Sequence, residues 1–228
     1  MKDKKYKRAY QYAKETSELI KNQYGSKMAR SMHFTGAAAT AGIVLAIGKL
    51  IMGIISLSFF ACANAFYSFG MIIAKSIALV GIRKAQEDKE RYQYYLYSGV
   101  IMVFASILYI IYSVRLFFNP MTSVYHMYVA IGIATVTFTE IGLNIRGVII
   151  TRHDHTLLFH AIKMINLSSS LIALVLTQTA ILSFTNEEVD YLEISKANGV
   201  IGILMGMAAT LIGFYMIYRV KKLKKNTT

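Results

Sequence analysis

Six apolar stretches, each long enough to cross a bilayer, alternate along this chain with short connections that collect most of its charge. A transmembrane helix needs about 20 largely apolar residues in a row. Within lipid a backbone has to satisfy its own hydrogen bonds, and for stretches of this kind the helix does so. The spans read as 36–56, 59–82, 95–118, 122–148, 156–184 and 197–219. The pattern predicts an all-α membrane protein, with a bundle of six transmembrane helices over residues 36–219. A basic tail or surface helix over 1–35 precedes it, and a short basic tail over 220–228 follows. Only 16% of the 228 residues are charged, against about a quarter in a soluble domain.

The placement of Lys and Arg predicts the orientation. Nine lie before residue 31. Arg83, Lys84, Lys89 and Arg91 follow the second span, Arg146 and Arg152 follow the fourth, and Arg219, Lys221, Lys222, Lys224 and Lys225 follow the sixth. All of these fall on one side of a six-span bundle. The other side holds Arg115 and Lys196 beside the acidic Glu187, Glu188, Asp190 and Glu193. The positive-inside rule then puts both termini in the cytoplasm of a multi-pass cell-membrane protein. Pro120 fits the turn after the third span, where its missing N–H costs nothing. The first 30 residues lack the apolar segment and cleavage site of a signal peptide. As a basic tail, with Tyr6, Tyr10, Ala13 and Ser17 at helical spacing, they are expected to meet anionic lipid at the cytoplasmic face.

A formal net charge of +13 is explained by that flanking pattern, and no nucleic-acid motif accompanies it. The single cysteine, Cys62, has no intrachain partner for a disulfide. There is no phosphate-binding loop, no G-x-G-x-x-G and no H-E-x-x-H, so neither a cofactor nor an enzymatic activity is expected. The twelve methionines read as filler of an apolar core. His153-Asp154-His155, before the fifth span, reads as a solvated loop, because three residues do not close a metal site. His33 and His126 fall near the ends of spans and carry no message.

Ionisable side chains within the spans need reasons, because each costs at least about 2.5 kcal/mol at the bilayer centre. Lys75 and Lys49 are both expected to snorkel, one to the inner headgroups and the other to the outer. Glu140 lies too deep for that, on a stripe with Thr137 and Asn144. On the fifth span His160, Lys163, Asn166, Ser170 and Thr177 share a broad face. Two polar stripes on neighbouring helices predict a shared polar interior, with a Glu140–Lys163 ion pair at its centre. That interior is either a cavity or a network that only fixes helix packing.

Lys49, Gly53 and Ser58, followed by Asn64-Ala65-Phe66-Tyr67-Ser68, resemble the first two helices of the cation diffusion facilitator family. The stretch Ala78 to Ala85 resembles that family's exit from the second helix. The resemblance implies a cation-efflux-like bundle and a protein that moves divalent metal against protons. It also implies two metal ligands four residues apart on the second helix and two more on the fifth. Those positions fall on Tyr67 and Met71, and on Lys163 and Leu167; a register three residues earlier puts His160 on the fifth helix instead. None of the first four is a zinc ligand in its usual state, and Asn64 stands where the family commonly has Asp. No metal site is therefore expected. The nine residues after Arg219 hold no counterpart of the family's cytoplasmic metal-binding domain, which leaves a homodimer open.

Two functions follow as expectations. The first is a transporter without the usual zinc ligands, its cavity lined by Asn64, Tyr67, Met71, Glu140, His160, Lys163 and Leu167. Glu140 would carry a proton beside His160, and Lys163 would stand in for the lost cation or attract an anion. The second is a non-transporting relative that acts as a membrane scaffold or binds a partner.

Overall fold

The computed structural model describes residues 26–55, 59–119, 127–150, 156–185 and 191–227. Among these the chain forms six helices and no strand. They are α1 (Ser26–Ile55), α2 (Phe59–Lys84), α3 (Asp88–Phe118), α4 (Met127–Ile150), α5 (Leu157–Thr185) and α6 (Tyr191–Thr227). The last five are long and apolar enough to cross a membrane, and the apolar part of α1 runs Thr40–Ile55. The protein is a multi-pass helical membrane protein. The tail up to residue 25, Pro120, His126, the His153-Asp154-His155 segment and Glu187, Glu188 and Asp190 lie outside the described residues.

Several helices outrun the spans read from hydropathy. α1 begins at Ser26, α3 at Asp88, and α6 runs from Tyr191 to Thr227. A helix does not stop where lipid stops: Asp88 and Glu90 in the first turn of α3 complement its N-terminal dipole, and Arg83 and Lys84 close α2 in the matching way. The Glu90 carboxylate also accepts the Gln86 N–H at 2.9 Å, which fixes the tight α2–α3 connection.

The bundle is built around α5. Two thirds of its apolar stretch (67%) is buried, against 28–44% in α2, α3, α4 and α6, so α5 is the inner pillar and the others face lipid along one side. It packs on α4, α6, α2 and α3, while α1 lies outside against α2 and α4. Ile43, Val44, Ile51 and Ile54 of α1 are exposed, as a lipid-facing stripe is.

α3 and α6 form the closest pair, running antiparallel. Their buried residues recur at alternating steps of three and four: Tyr95, Gly99, Met102, Ser106, Tyr109, Ser113 and Leu116 on one helix, and Gly199, Gly202, Gly206, Ala209, Gly213, Met216 and Val220 on the other. That heptad spacing is the signature of a left-handed seam. Lipid supplies no hydrophobic drive between helices, so association depends on close packing of small residues. A Cβ added at Gly202 would lie 2.6 Å from Ser113 Oγ, and one at Gly206 would lie 2.6 Å from Ile110 Cγ1. The seam's serine hydroxyls are satisfied within their own helix, Ser106 and Ser113 each donating to the carbonyl four residues back at 2.8 and 3.0 Å.

Candidate functional site

Polar chemistry concentrates on the other side of α5, where α2 and α4 meet it and α1 packs against both of them. On α1 the residues Gly42, Ala46, Lys49 and Gly53 follow the same three-and-four spacing, and this face turns inward. The small residues bring α1 close to α2: a Cβ on Gly53 would stand 3.0 Å from the Cys62 backbone nitrogen. Lys49 is thereby carried into the core, where it is 1% exposed. On α2 the inward polar positions are Asn64, Ser68 and Lys75, spaced four and seven apart.

The Lys49 ammonium has three protons to donate, and three oxygens receive them. It donates to Asn64 Oδ1 at 2.9 Å and to Ser68 Oγ at 3.1 Å, and it forms an ion pair with Glu140 Oε2. The other carboxylate oxygen of Glu140 accepts the Ser169 hydroxyl at 3.0 Å. The Asn64 amide nitrogen in turn donates to the Ile172 carbonyl of α5 at 3.1 Å. One layer thus ties α1, α2, α4 and α5 together with the Lys49 amine, the Glu140 carboxylate and the Asn64 amide all bonded. Asn64 is 0% exposed and Glu140 8%. Glu140 stands about 20 Å from the start of α4 and about 15 Å from its end, at 1.5 Å per residue, near the middle of the bundle.

The polar column continues in both directions. On one side the Thr177 hydroxyl donates to Thr137 Oγ1 at 2.6 Å, joining α5 to α4. On the other, Lys75 reaches Asn144 Oδ1 at 3.4 Å, with both residues buried. Asn166 lies beside α4 there, packed so closely that a Cβ on Gly147 would collide with its amide. Two oppositely charged groups and a second ammonium, Lys75, therefore share one interior.

The structure alters several sequence expectations. The ion pair of Glu140 is made by Lys49, in place of Lys163. Ser169, which touches the carboxylate, is six residues beyond Lys163 on α5, about 9 Å along the axis. Lys163 is half-buried and lies near His160. Neither Lys49 nor Lys75 snorkels; both are buried and hydrogen-bonded to other helices. His160 does not neighbour Glu140: its Nδ1 is 2.9 Å from the Tyr95 hydroxyl, and its ring packs between Tyr95 and Tyr215. Tyr67 and Met71 are buried in an apolar cluster with Tyr109, Ile162 and Met216, and neither bonds to Lys49 or Glu140. Leu167 faces outward, 45% exposed. Of the seven expected cavity residues, only Asn64 and Glu140 meet at the central layer.

The residues missed were Lys49, Ser68 and Ser169. A signal for Lys49 stood in the sequence, because Ala46 and Gly53 at i−3 and i+4 mark its face as one that packs against a helix. Among the described residues no group of three His, Cys, Asp or Glu side chains could hold a metal ion. The donors around the Lys49 amine are oxygens of the kind that bind a hard cation. The ammonium among them repels a divalent ion, so this set does not fit a zinc-type cargo. No known protein-family model matches the chain, and no curated protein matches it.

Proposed function

We propose that this is a cation-efflux-like membrane protein, six-span with both ends cytoplasmic, in which a tethered cation has replaced the mobile one. The Lys49 ammonium takes the oxygen donors that an exchanged ion would use, and Glu140 is its permanent counter-charge. The protein then acts as a non-transporting scaffold or partner-binding protein of the membrane, and not as a metal carrier. The observation that supports this reading is the closed coordination of Lys49 by Asn64, Ser68 and Glu140 at 1% exposure. Alternating access would have to pull an ammonium from its carboxylate in a low-dielectric core, where separating such a pair is costly. The two basic-rich ends and the positive-inside rule support the orientation.

The test is flux in proteoliposomes loaded with zinc-sensitive and pH-sensitive dyes. Zinc, manganese and proton fluxes are expected to equal those of protein-free vesicles. Saturable metal or proton flux that Glu140→Gln abolishes would overturn the reading and restore transport.

A further inference from the structure

At the end of the bundle where α2 finishes, α3 and α5 begin and α6 ends, a cavity of about 280 Å³ opens. Its polar wall is made by Arg91 and Tyr92 of α3, Arg219 of α6 and Thr156 ahead of α5, with Asp88 at the rim. Its apolar wall is made by Ile82, Leu158, Phe159 and Leu223. The Thr156 carbonyl accepts the His160 N–H at 3.1 Å, the first helical bond of α5, which makes Thr156 the residue that caps this helix. The backbone N–H groups of Leu157, Leu158 and Phe159 therefore have no carbonyl within α5 to bond, and all three residues line the cavity. Two guanidiniums and the positive end of a 29-residue helix converge on one recess. Asp88 offsets part of this charge through its bond to Arg91 at 3.3 Å, leaving the recess net positive.

We propose that this recess binds the phosphate of an anionic phospholipid headgroup, with the glycerol and upper acyl carbons against the apolar wall. Arginine suits a phosphate because its planar fork donates two parallel hydrogen bonds. The mixture of walls favours a lipid over a soluble phosphate, because a free ion would leave half of the recess unmatched. The recess sits at the end of the helices that carries Arg83, Lys84, Lys221 and Lys222, where the bundle meets headgroups. The inference needs the membrane setting and nothing proposed for the Lys49 core, so either can fail alone.

The experiment uses the full chain, purified and stripped of lipid, then given phosphatidylglycerol or phosphatidylcholine in mixed micelles. Bound lipid is counted by native mass spectrometry and thermal stability is followed in parallel. One phosphatidylglycerol is expected to be retained in preference to phosphatidylcholine. Arg91→Gln should weaken that retention roughly tenfold, the loss of one charge-assisted hydrogen bond. Arg219→Gln should do the same, and Arg91→Gln keeps the test alive if Arg219→Gln fails to fold. Lys221→Gln, on the opposite face of α6, should leave retention unchanged. Equal retention of both lipids overturns the proposal, as does an Arg91→Gln variant that keeps its preference. A loss in Lys221→Gln as large as in Arg91→Gln would mean diffuse surface attraction and would overturn it too. Stabilisation by inorganic phosphate without lipid, lost in Arg91→Gln, would assign the recess to a soluble phosphate and overturn the lipid reading.

Discussion

Between α3 and α6 the helices meet through glycines and serine hydroxyls already satisfied by their own backbone, whereas between α1, α2, α4 and α5 they meet through an ammonium, a carboxylate, an amide and two serine hydroxyls. The first contact is held by fit, since Gly199, Gly202, Gly206 and Gly213 let two backbones approach and dispersion does the rest. The second is held by charge, and each of its members is costly unless its partners are present. A seam of the first kind tolerates loss of any one contact gradually. A layer of the second kind fails when one member is removed.

The largest expected effect breaks the charged layer from one side. Glu140→Gln leaves Lys49 buried without its counter-charge, and a loss of about 3–5 kcal/mol is expected in unfolding measured in nanodiscs. A loss below about 1 kcal/mol would mean that water reaches the amine and that the layer is not closed.

The glycine seam should yield less. Gly213→Ala puts a Cβ 2.5 Å from Val103 Cγ2, on a stiff side chain, and about 1–3 kcal/mol of overpacking is expected. Gly142, within α4, has nothing within 4 Å of its would-be Cβ, so Gly142→Ala should gain up to about 1 kcal/mol from helix propensity. Opposite signs at two glycines sharpen the contrast between seam and surface. Equal signs would mean that the α3–α6 contact is looser than described.

The smallest effect belongs to the hydroxyl pair at the edge of the charged column. Thr177→Val removes the 2.6 Å bond to Thr137, and about 0.6 kcal/mol is the usual worth of such a bond between membrane helices. A loss comparable to that of Glu140→Gln would make the whole column one cooperative unit.

Much of this was legible in the sequence because lipid restricts what a chain can do. The helices and the depth of Glu140 follow from hydropathy, and Thr137, Asn166 and Thr177 do face the α4–α5 contact, as the stripes predict, while Asn144 meets Lys75 of α2. Periodicity gives a residue's face and not its partner, which is why the sequence pairs Glu140 with Lys163 on the adjacent helix. The true partner is on α1, far away in the chain. Lys49 reads as a snorkelling residue because a long side chain past mid-span can reach headgroups, and snorkelling needs only length. What decides the matter is whether its face touches lipid or helix, and the flanking Ala46 and Gly53 carry that information. The α3–α6 seam was equally present, as glycines at heptad spacing. It gives no signal in hydropathy or charge, because small apolar residues add little to either.

Lys49 and Glu140 are expected to act as one unit. A double-mutant cycle on unfolding tests it with Lys49→Met, Glu140→Met and the pair together. Each single change is expected to cost about 3–5 kcal/mol, and the double change less than either, since two methionines fill the space without stranding a charge. Costs that simply add would contradict the account, because the amine and the carboxylate would then be acting independently.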